Sequence, residues 1–146
     1  MAGKPTRHLE EEAALAVVRK ADYFLQQVTE LLKPYGLSST QYNVLRILRG
    51  AGRAGASCKV IGSKLIARDP DVTRLMDRLE ARGLLERGRD PEDRRIVTHV
   101  LTADGLKLVN ELDRPIQELH RATMRGLTPA KLETLIAILE EIQTEK

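Results

Sequence analysis

The sequence predicts a mainly α-helical protein with one small β-hairpin. Most of its apolar residues recur at the spacing of amphipathic helices, and aromatic residues make up only 3% of the chain, so the core must be aliphatic. Between residues 71 and 102, one such helix is followed by two short apolar stretches around an arginine-rich loop. A helix with a cationic outer face followed by an arginine-tipped hairpin is the layout of a winged helix-turn-helix.

The first part of this segment predicts a recognition helix. Its apolar face is formed by side chains at i, i+3, i+4 and i+7: Val72, Leu75, Met76 and Leu79. The opposite face carries the polar residues Thr73, Arg74 and Asp77, with Arg78 at its edge. Asp69 can cap the helix start with Pro70 in the first helical position, and Gly83 can end the helix.

The second part predicts the wing. Leu84–Arg87 and Ile96–Leu101 can pair as strands, and the loop between them holds Arg89, Arg94 and Arg95. Basic charge is concentrated in this region, because residues 53–95 hold 11 of the 24 Lys and Arg but 8 of the 21 Asp and Glu, which accounts for the whole formal net charge of +3. A local basic excess suits a polyanionic partner such as double-stranded DNA.

Three helices are predicted before the recognition helix, after a disordered tail at residues 1–6. Arg7–Lys33 reads as one long helix with a single apolar stripe. Ser38 and Gln41 form the capping-box pattern that opens the second helix. A flexible, glycine-rich connection at residues 50–56 leads to a short third helix, Cys58–Ala67.

Two further helices are predicted after the wing. Thr102 caps the first, and Pro115 inside its pattern predicts a kink or break near residues 111–114. Thr128 and Pro129 open the last helix. The long first helix can pack within its own subunit or against a second copy, and because comparable helices lie only at the far end of the chain, we expect a homodimer. Residues 1–36 and 103–146 would form the dimerisation region and residues 37–102 the DNA-binding region of a single interlocked domain.

Several classes of protein are disfavoured by the composition. One cysteine excludes an internal disulfide framework, and the sequence contains neither a signal peptide nor an apolar run of about 18 residues, so we expect a soluble, cytoplasmic protein without a membrane partner. The three histidines are too scattered for a metal motif. We expect no enzyme and no cofactor, because no nucleophile motif, phosphate loop or apolar carboxylate pair stands out.

Three segments together resemble the MarR family of bacterial transcription regulators. They are LSSTQYNVLRIL from Leu37, DVTRLMDRLEARGLLER from Asp71, and DPEDRRIVTHVLTADG from Asp90. The resemblance covers about residues 37–108. It implies a triangular homodimer whose terminal helices intertwine and whose two winged lobes bind a pseudo-palindromic operator, and we expect a repressor.

The resemblance also implies roles for individual residues. Arg74 and Arg78 fall where family members contact bases or phosphates, Arg95 matches the arginine that the wing inserts into the minor groove, and Asp93 matches the acid that orients it. The full expected DNA-binding set is Pro70, Asp71, Thr73, Arg74, Arg78, Asp93, Arg94 and Arg95. Elementary chemistry agrees, since an arginine fork can bond guanine O6 and N7, and a narrow minor groove attracts an inserted arginine.

Other interpretations stay open for some residues. Arg74 and Arg78 could belong to a solvated helix face beside Asp71 and Asp77, and a winged helix can also serve as a protein–protein interaction module without DNA binding. Arg82 is interpreted as structural. Cys58 is expected to pack in the protein rather than to sense oxidants. Family members commonly respond to phenolic or carboxylate ligands, and a cleft for a small-molecule effector could be lined by Tyr23, Tyr35, Tyr42 and His120.

Overall fold

Residues 8–144, which the computed structural model describes, form six α-helices, two 3-10 turns and one two-stranded antiparallel sheet. The helices are α1 (Leu9–Leu32), α2 (Ser39–Ala51), α3 (Cys58–Lys64), α4 (Val72–Ala81), α5 (Ala103–Thr123) and α6 (Pro129–Glu141), and the strands are β1 (Leu85–Arg89) and β2 (Val97–Leu101). The predicted mainly α fold with a hairpin is confirmed. The predicted tail and the predicted helix start at Arg7 lie outside the described residues.

Side chains from α2, α4 and α5 contribute to one buried core. Its fully buried side chains include Leu45 on α2, Met76 and Leu79 on α4, and Val109 and Leu112 on α5. Burial of each such side chain contributes about 1.5–3 kcal/mol. This packing fixes the rotation of α4 about its axis, so the polar face of the helix points away from the protein.

Side-chain caps begin α2 and α5 as the sequence predicts. Ser38 Oγ accepts a hydrogen bond from the Gln41 amide at 3.1 Å, and Gln41 Oε1 accepts one from the Ser38 amide at 2.9 Å, so the capping box is confirmed. Thr102 Oγ1 accepts a bond from the Gly105 amide at 3.1 Å. These bonds occupy amides that the first helical turn leaves without partners.

The predicted start of the recognition helix is wrong by two residues. Asp71, not Asp69, is the N-cap, and its carboxylate accepts a hydrogen bond from the Arg74 amide at 3.0 Å. Asp69 instead accepts a bond from the Asp71 amide at 2.8 Å, which forms a local turn that keeps Pro70 outside the helix. The preceding helix α3 also ends earlier than predicted, at Lys64 rather than Ala67, because Leu65 adopts an extended conformation.

The wing differs in extent from the prediction. Its strands pair from Leu85 opposite Leu101 to Arg89 opposite Val97, so Arg89 belongs to a strand rather than to the loop. The connection before α3 contains more regular structure than predicted, because α2 continues to Ala51, a 3-10 turn follows at Gly52–Ala54, and Ala56 pairs with the backbone of His99 beside the hairpin. Gly55 has φ +67°, and a Cβ there would lie 2.4 Å from the His99 carbonyl oxygen, which is why glycine is needed.

The C-terminal helices follow the prediction with one exception. Thr128 caps α6, and Pro129 is its first residue. Of the kink or break predicted near residues 111–114, the break is wrong, since α5 runs without interruption through Pro115, and the kink stays a prediction. Proline there removes one amide donor from the helical ladder, and the buried neighbours Leu112 and Ile116 hold the helix in place on the core.

Helices α1 and α6 present apolar side chains that their own subunit leaves uncovered. Exposed examples are Val18 on α1 and Ile136 and Ile138 on α6, with 63%, 56% and 54% of their surfaces accessible. An uncovered apolar surface of this kind favours association with another protein surface. Within residues 8–144, no helix combines the length and apolar character needed to cross a membrane.

Candidate nucleic-acid interface

The outer face of α4 exposes two arginines that pair with no carboxylate among residues 8–144. Thr73, Arg74 and Arg78 are all exposed, and neither arginine forms an ion pair within residues 8–144. The two acids considered as their partners are used elsewhere: Asp71 caps the helix and Asp77 pairs with Arg87. Both guanidinium groups are therefore available to an external anion.

Arg87 links the recognition helix to the wing, a contact that sequence reasoning missed. From β1, its guanidinium Nε donates to Glu80 Oε2 at 2.6 Å, and its Nη2 donates to Asp77 Oδ1. The hydrogen bond that Arg87 donates to Glu80, and then the charge of and bond to Asp77, raise the pKa of Arg87 above its usual value. Asp77 and Glu80 stand three residues apart on one side of a helix, and this spacing is the sequence signal that could have suggested a shared cationic partner.

At the tip of the wing, Asp93 holds Arg95 in a two-pronged contact. Arg95 Nε lies 3.0 Å from Asp93 Oδ1, and Arg95 Nη2 lies 3.1 Å from Asp93 Oδ2. These bonds lower the pKa of Asp93. The Arg95 side chain is nevertheless 91% exposed, so it is oriented without being buried. Arg94 is exposed beside it and has no ion pair within the described part of the chain.

A second aspartate shapes the wing loop. Asp90 Oδ1 accepts hydrogen bonds from the amides of Glu92 and Asp93, at 2.8 and 3.0 Å. The Asp90 amide in turn donates to the Ile96 carbonyl at 3.0 Å and closes the base of the loop. The aspartate–proline pair at the start of the loop is the sequence signal for this turn.

His99 is buried at the base of the wing. Only 3% of its surface is accessible, and its Nδ1 atom has no hydrogen-bond partner within residues 8–144. Burial, followed by the charge of Arg87, lowers the pKa of His99, while Glu80 and Asp77 act in the opposite direction. Burial and the Arg87 cation on the facing strand favour the neutral imidazole, whereas the two carboxylates on α4 act against it.

Two further arginines, Arg49 and Arg82, form hydrogen bonds between elements that are distant in the sequence. Arg49 on α2 forms a two-pronged contact with Asp113 on α5, with N–O distances of 2.8 and 2.9 Å, and this contact lowers the pKa of Asp113. Arg82, at the end of α4, donates to the carbonyls of Gly36 and Tyr35 at 2.7 and 3.0 Å. The structural interpretation of Arg82 is therefore confirmed, whereas the Arg49 contact was not predicted.

A cavity of about 210 Å³ lies between α1, α2, α5 and the turn before α4. Tyr42 and His120 line it, as expected, together with Phe24, Asn43 and Arg46. The other two predicted aromatic residues are not there. Tyr23 lines a separate groove of about 540 Å³ between α1 and α6, and Tyr35 lines neither space, so the prediction of one shared cleft is wrong for these two.

Comparison with known proteins agrees with this geometry. The MarR family model matches residues 37–97. The multiple antibiotic resistance protein MarR of Salmonella typhimurium is 34% identical over 113 residues, which cover 76% of this chain and 76% of that protein. This chain belongs to the MarR family. As a member of that family it is a DNA-binding transcription regulator, and the predicted resemblance is confirmed.

Two solved structures extend the match to nearly the whole chain. An Escherichia coli MarR mutant in complex with operator DNA is 25% identical, with a TM-score of 0.78 over 93% of this chain and 98% of that one. Bordetella bronchiseptica BpsR, from a study of how 6-hydroxynicotinic acid regulates its DNA binding, is 26% identical, with a TM-score of 0.82 over 97% of this chain and 99% of that one.

Cys58 in the present chain is half-buried against the core, which favours the packing interpretation.

Proposed function

We propose that this protein is a homodimeric repressor that binds a pseudo-palindromic operator, with α4 in the major groove and the wing in the adjacent minor groove. The observation that carries the proposal is that, among residues 8–144, Arg74 and Arg78 are exposed without carboxylate partners, while Asp93 orients the exposed Arg95 on the wing. We propose repression rather than activation, because a protein bound to its operator excludes other proteins from the same DNA. A DNA partner also implies a cytoplasmic protein.

The proposed division of labour follows the exposed surfaces. Residues 37–102 would read DNA, and residues 1–36 and 103–146 would form the dimer through the uncovered faces of α1 and α6. The groove of about 540 Å³ between these helices adds concave apolar surface to that interface. A two-fold dimer would place its recognition helices about one helical turn apart, at a spacing of about 10–10.5 bp between half-sites.

The chemistry of each exposed side chain indicates which part of the DNA it would contact. Arg74 and Arg78 would bond guanine edges or phosphates, and Thr73 would contact a base edge or phosphate beside them. Pro70 and Asp71 would approach the DNA backbone at the start of α4, and Arg94 would support Arg95 at the wing. Asp71 contributes mainly by capping, since its carboxylate is already bonded to the Arg74 amide.

Replacing Arg74 with alanine is expected to relax base preference at one position in each half-site. A lost bidentate contact costs about 1–3 kcal/mol of discrimination, which is roughly 5–150-fold. Selection from a randomised operator, followed by binding measurements on DNA from upstream of the protein's own gene, tests this. Arg114→Ala is the matched control, because Arg114 is exposed on α5 and, among residues 8–144, pairs only with Glu118. Unchanged base preference in the Arg74 variant would refute the assignment, and absence of any DNA binding would favour the interaction-module alternative.

The cavity of about 210 Å³ would bind a small aromatic carboxylate that controls DNA binding. Phe24 and Tyr42 supply aromatic faces, and the Arg46 guanidinium lies 6.0 Å from the centre of the Tyr42 ring with no ion pair among residues 8–144. BpsR, a relative, is described as regulated by 6-hydroxynicotinic acid. The cavity therefore offers both an apolar slot and a cation to such a ligand.

Benzoate serves as the probe for this cavity. Calorimetry is expected to show binding to the wild type and about 10–150-fold weaker binding to Arg46→Ala, because a hydrogen bond to a charged group contributes about 1.5–3 kcal/mol. Lys107→Ala, which removes an exposed charge elsewhere on α5, should bind benzoate normally. Equal affinity in the Arg46 variant would exclude Arg46 as the carboxylate partner.

A further inference from the structure

The turn between α3 and α4, residues 65–71, sets where the recognition helix begins. Leu65 leaves the helical conformation with ψ 138°, so the Ile66 amide lacks the backbone acceptor that a continuing helix would provide. Asn43 on α2 supplies the acceptor instead, with Oδ1 at 2.8 Å from the Ile66 nitrogen. In the part of the chain that the structure describes, this is the one hydrogen bond that ties the turn to an element other than α4.

The turn has few other attachments. Ile66 is 85% exposed, an unusual position for a large apolar side chain. The bonds of Asp69 and Asp71 are local, since they join residues two or three positions apart. They give the turn its shape, but they do not set its position relative to α2. The Asn43 bond, with the packing of Leu65 and Val72 on the core, sets that position.

Asn43 also forms part of the cavity wall. Thr40 and Asn43 line the cavity from α2, and Ile66 and Ala67 line it from the turn, so the bond between Asn43 and Ile66 closes one side of the cavity. We propose that Asn43 is a positioning residue for DNA recognition and that the cavity acts on α4 through the Asn43–Ile66 bond. This inference rests on the proposed roles of α4 and of the cavity.

Asn43→Ala is expected to lower operator affinity about five- to tenfold, the effect of one lost hydrogen bond, while affinity for unrelated DNA stays unchanged. Asn43→Asp keeps an acceptor oxygen at the same place and should restore most of the operator affinity. Lys107→Ala is the control, because Lys107 is exposed on α5 and lines neither the cavity nor the turn. Thermal unfolding of each full-length variant shows that it is folded.

Two results would overturn the positioning role: operator affinity of Asn43→Ala equal to the wild type, or no recovery in Asn43→Asp. A wild-type protein that binds no operator would refute the proposed function itself, and the inference with it. A normal wild type with a normal Asn43→Ala variant would refute the inference alone. The two failures are therefore distinguishable.

Thr40→Phe tests the connection to the cavity without needing the natural ligand. Thr40 precedes Asn43 by three residues on the same helix face, so a phenyl ring there would fill the cavity beside the turn. We expect Thr40→Phe to lower operator affinity in the wild-type background and to cause little further loss in Asn43→Ala. Losses that simply add in the double variant would overturn the connection between cavity and recognition helix.

Discussion

Glutamate at Val18 and Ile136 together is expected to separate the dimer and to lower operator affinity at least 100-fold. Both side chains are more than half exposed in the single subunit, on α1 and α6. In the proposed dimer they are covered, and a carboxylate buried in an apolar interface without a partner costs several kcal/mol. A single lobe would contact one half-site only and would bind with an affinity close to that for unrelated DNA, which is typically at least 1000-fold weaker than specific binding.

Sedimentation and a gel shift measure the two consequences separately. Lys131→Glu is the matched control, because Lys131 is exposed in the first turn of α6 and a carboxylate there suits the helix dipole. The control should remain dimeric and bind the operator. If the double-glutamate variant stayed dimeric, the uncovered faces of α1 and α6 would not be the dimer interface.

The recognition helix shows what sequence periodicity can and cannot predict. The apolar spacing correctly placed Leu75, Met76 and Leu79 in the core, because burial imposes one face on a helix wherever it packs. The helix start was misplaced because Asp69 and Asp71 are both good caps, and only the local turn decides between them. That decision depends on backbone conformation, which residue spacing does not specify.

The contacts that position the DNA-binding residues could not be predicted from the sequence, for a different reason. Arg87 reaches Asp77 and Glu80 across 10 and 7 residues, and Asn43 reaches Ile66 across 23. Such pairs form only after the helices have packed, and many other pairings of the same residue types are equally consistent with the sequence. The Asp93–Arg95 contact could be expected because its partners are two residues apart.

Variants of the wing can separate the effect of the Arg95 charge from the effect of its orientation by Asp93. Arg95→Ala is expected to lower operator affinity by about 30–150-fold, the effect of removing a charged anchor worth 2–3 kcal/mol from an interface. Asp93 holds the guanidinium with two bonds, so little side-chain freedom is lost when it enters the minor groove. The thermal midpoint should not change, because the Arg95 side chain is 91% exposed and an exposed ion pair contributes little stability.

Three companion variants separate the causes. Arg95→Lys keeps the charge but loses the planar fork that Asp93 grips, so its affinity should fall between those of the wild type and Arg95→Ala. Asp93→Asn weakens that grip and should also give an intermediate loss, although it removes a negative charge near DNA. Arg94→Ala removes an equal charge that no carboxylate among residues 8–144 orients, and its effect should be the smallest. If Asp93→Asn instead bound the operator more tightly than the wild type, repulsion by Asp93 would outweigh its orienting role, and pre-orientation of Arg95 could not be the source of the wing's contribution.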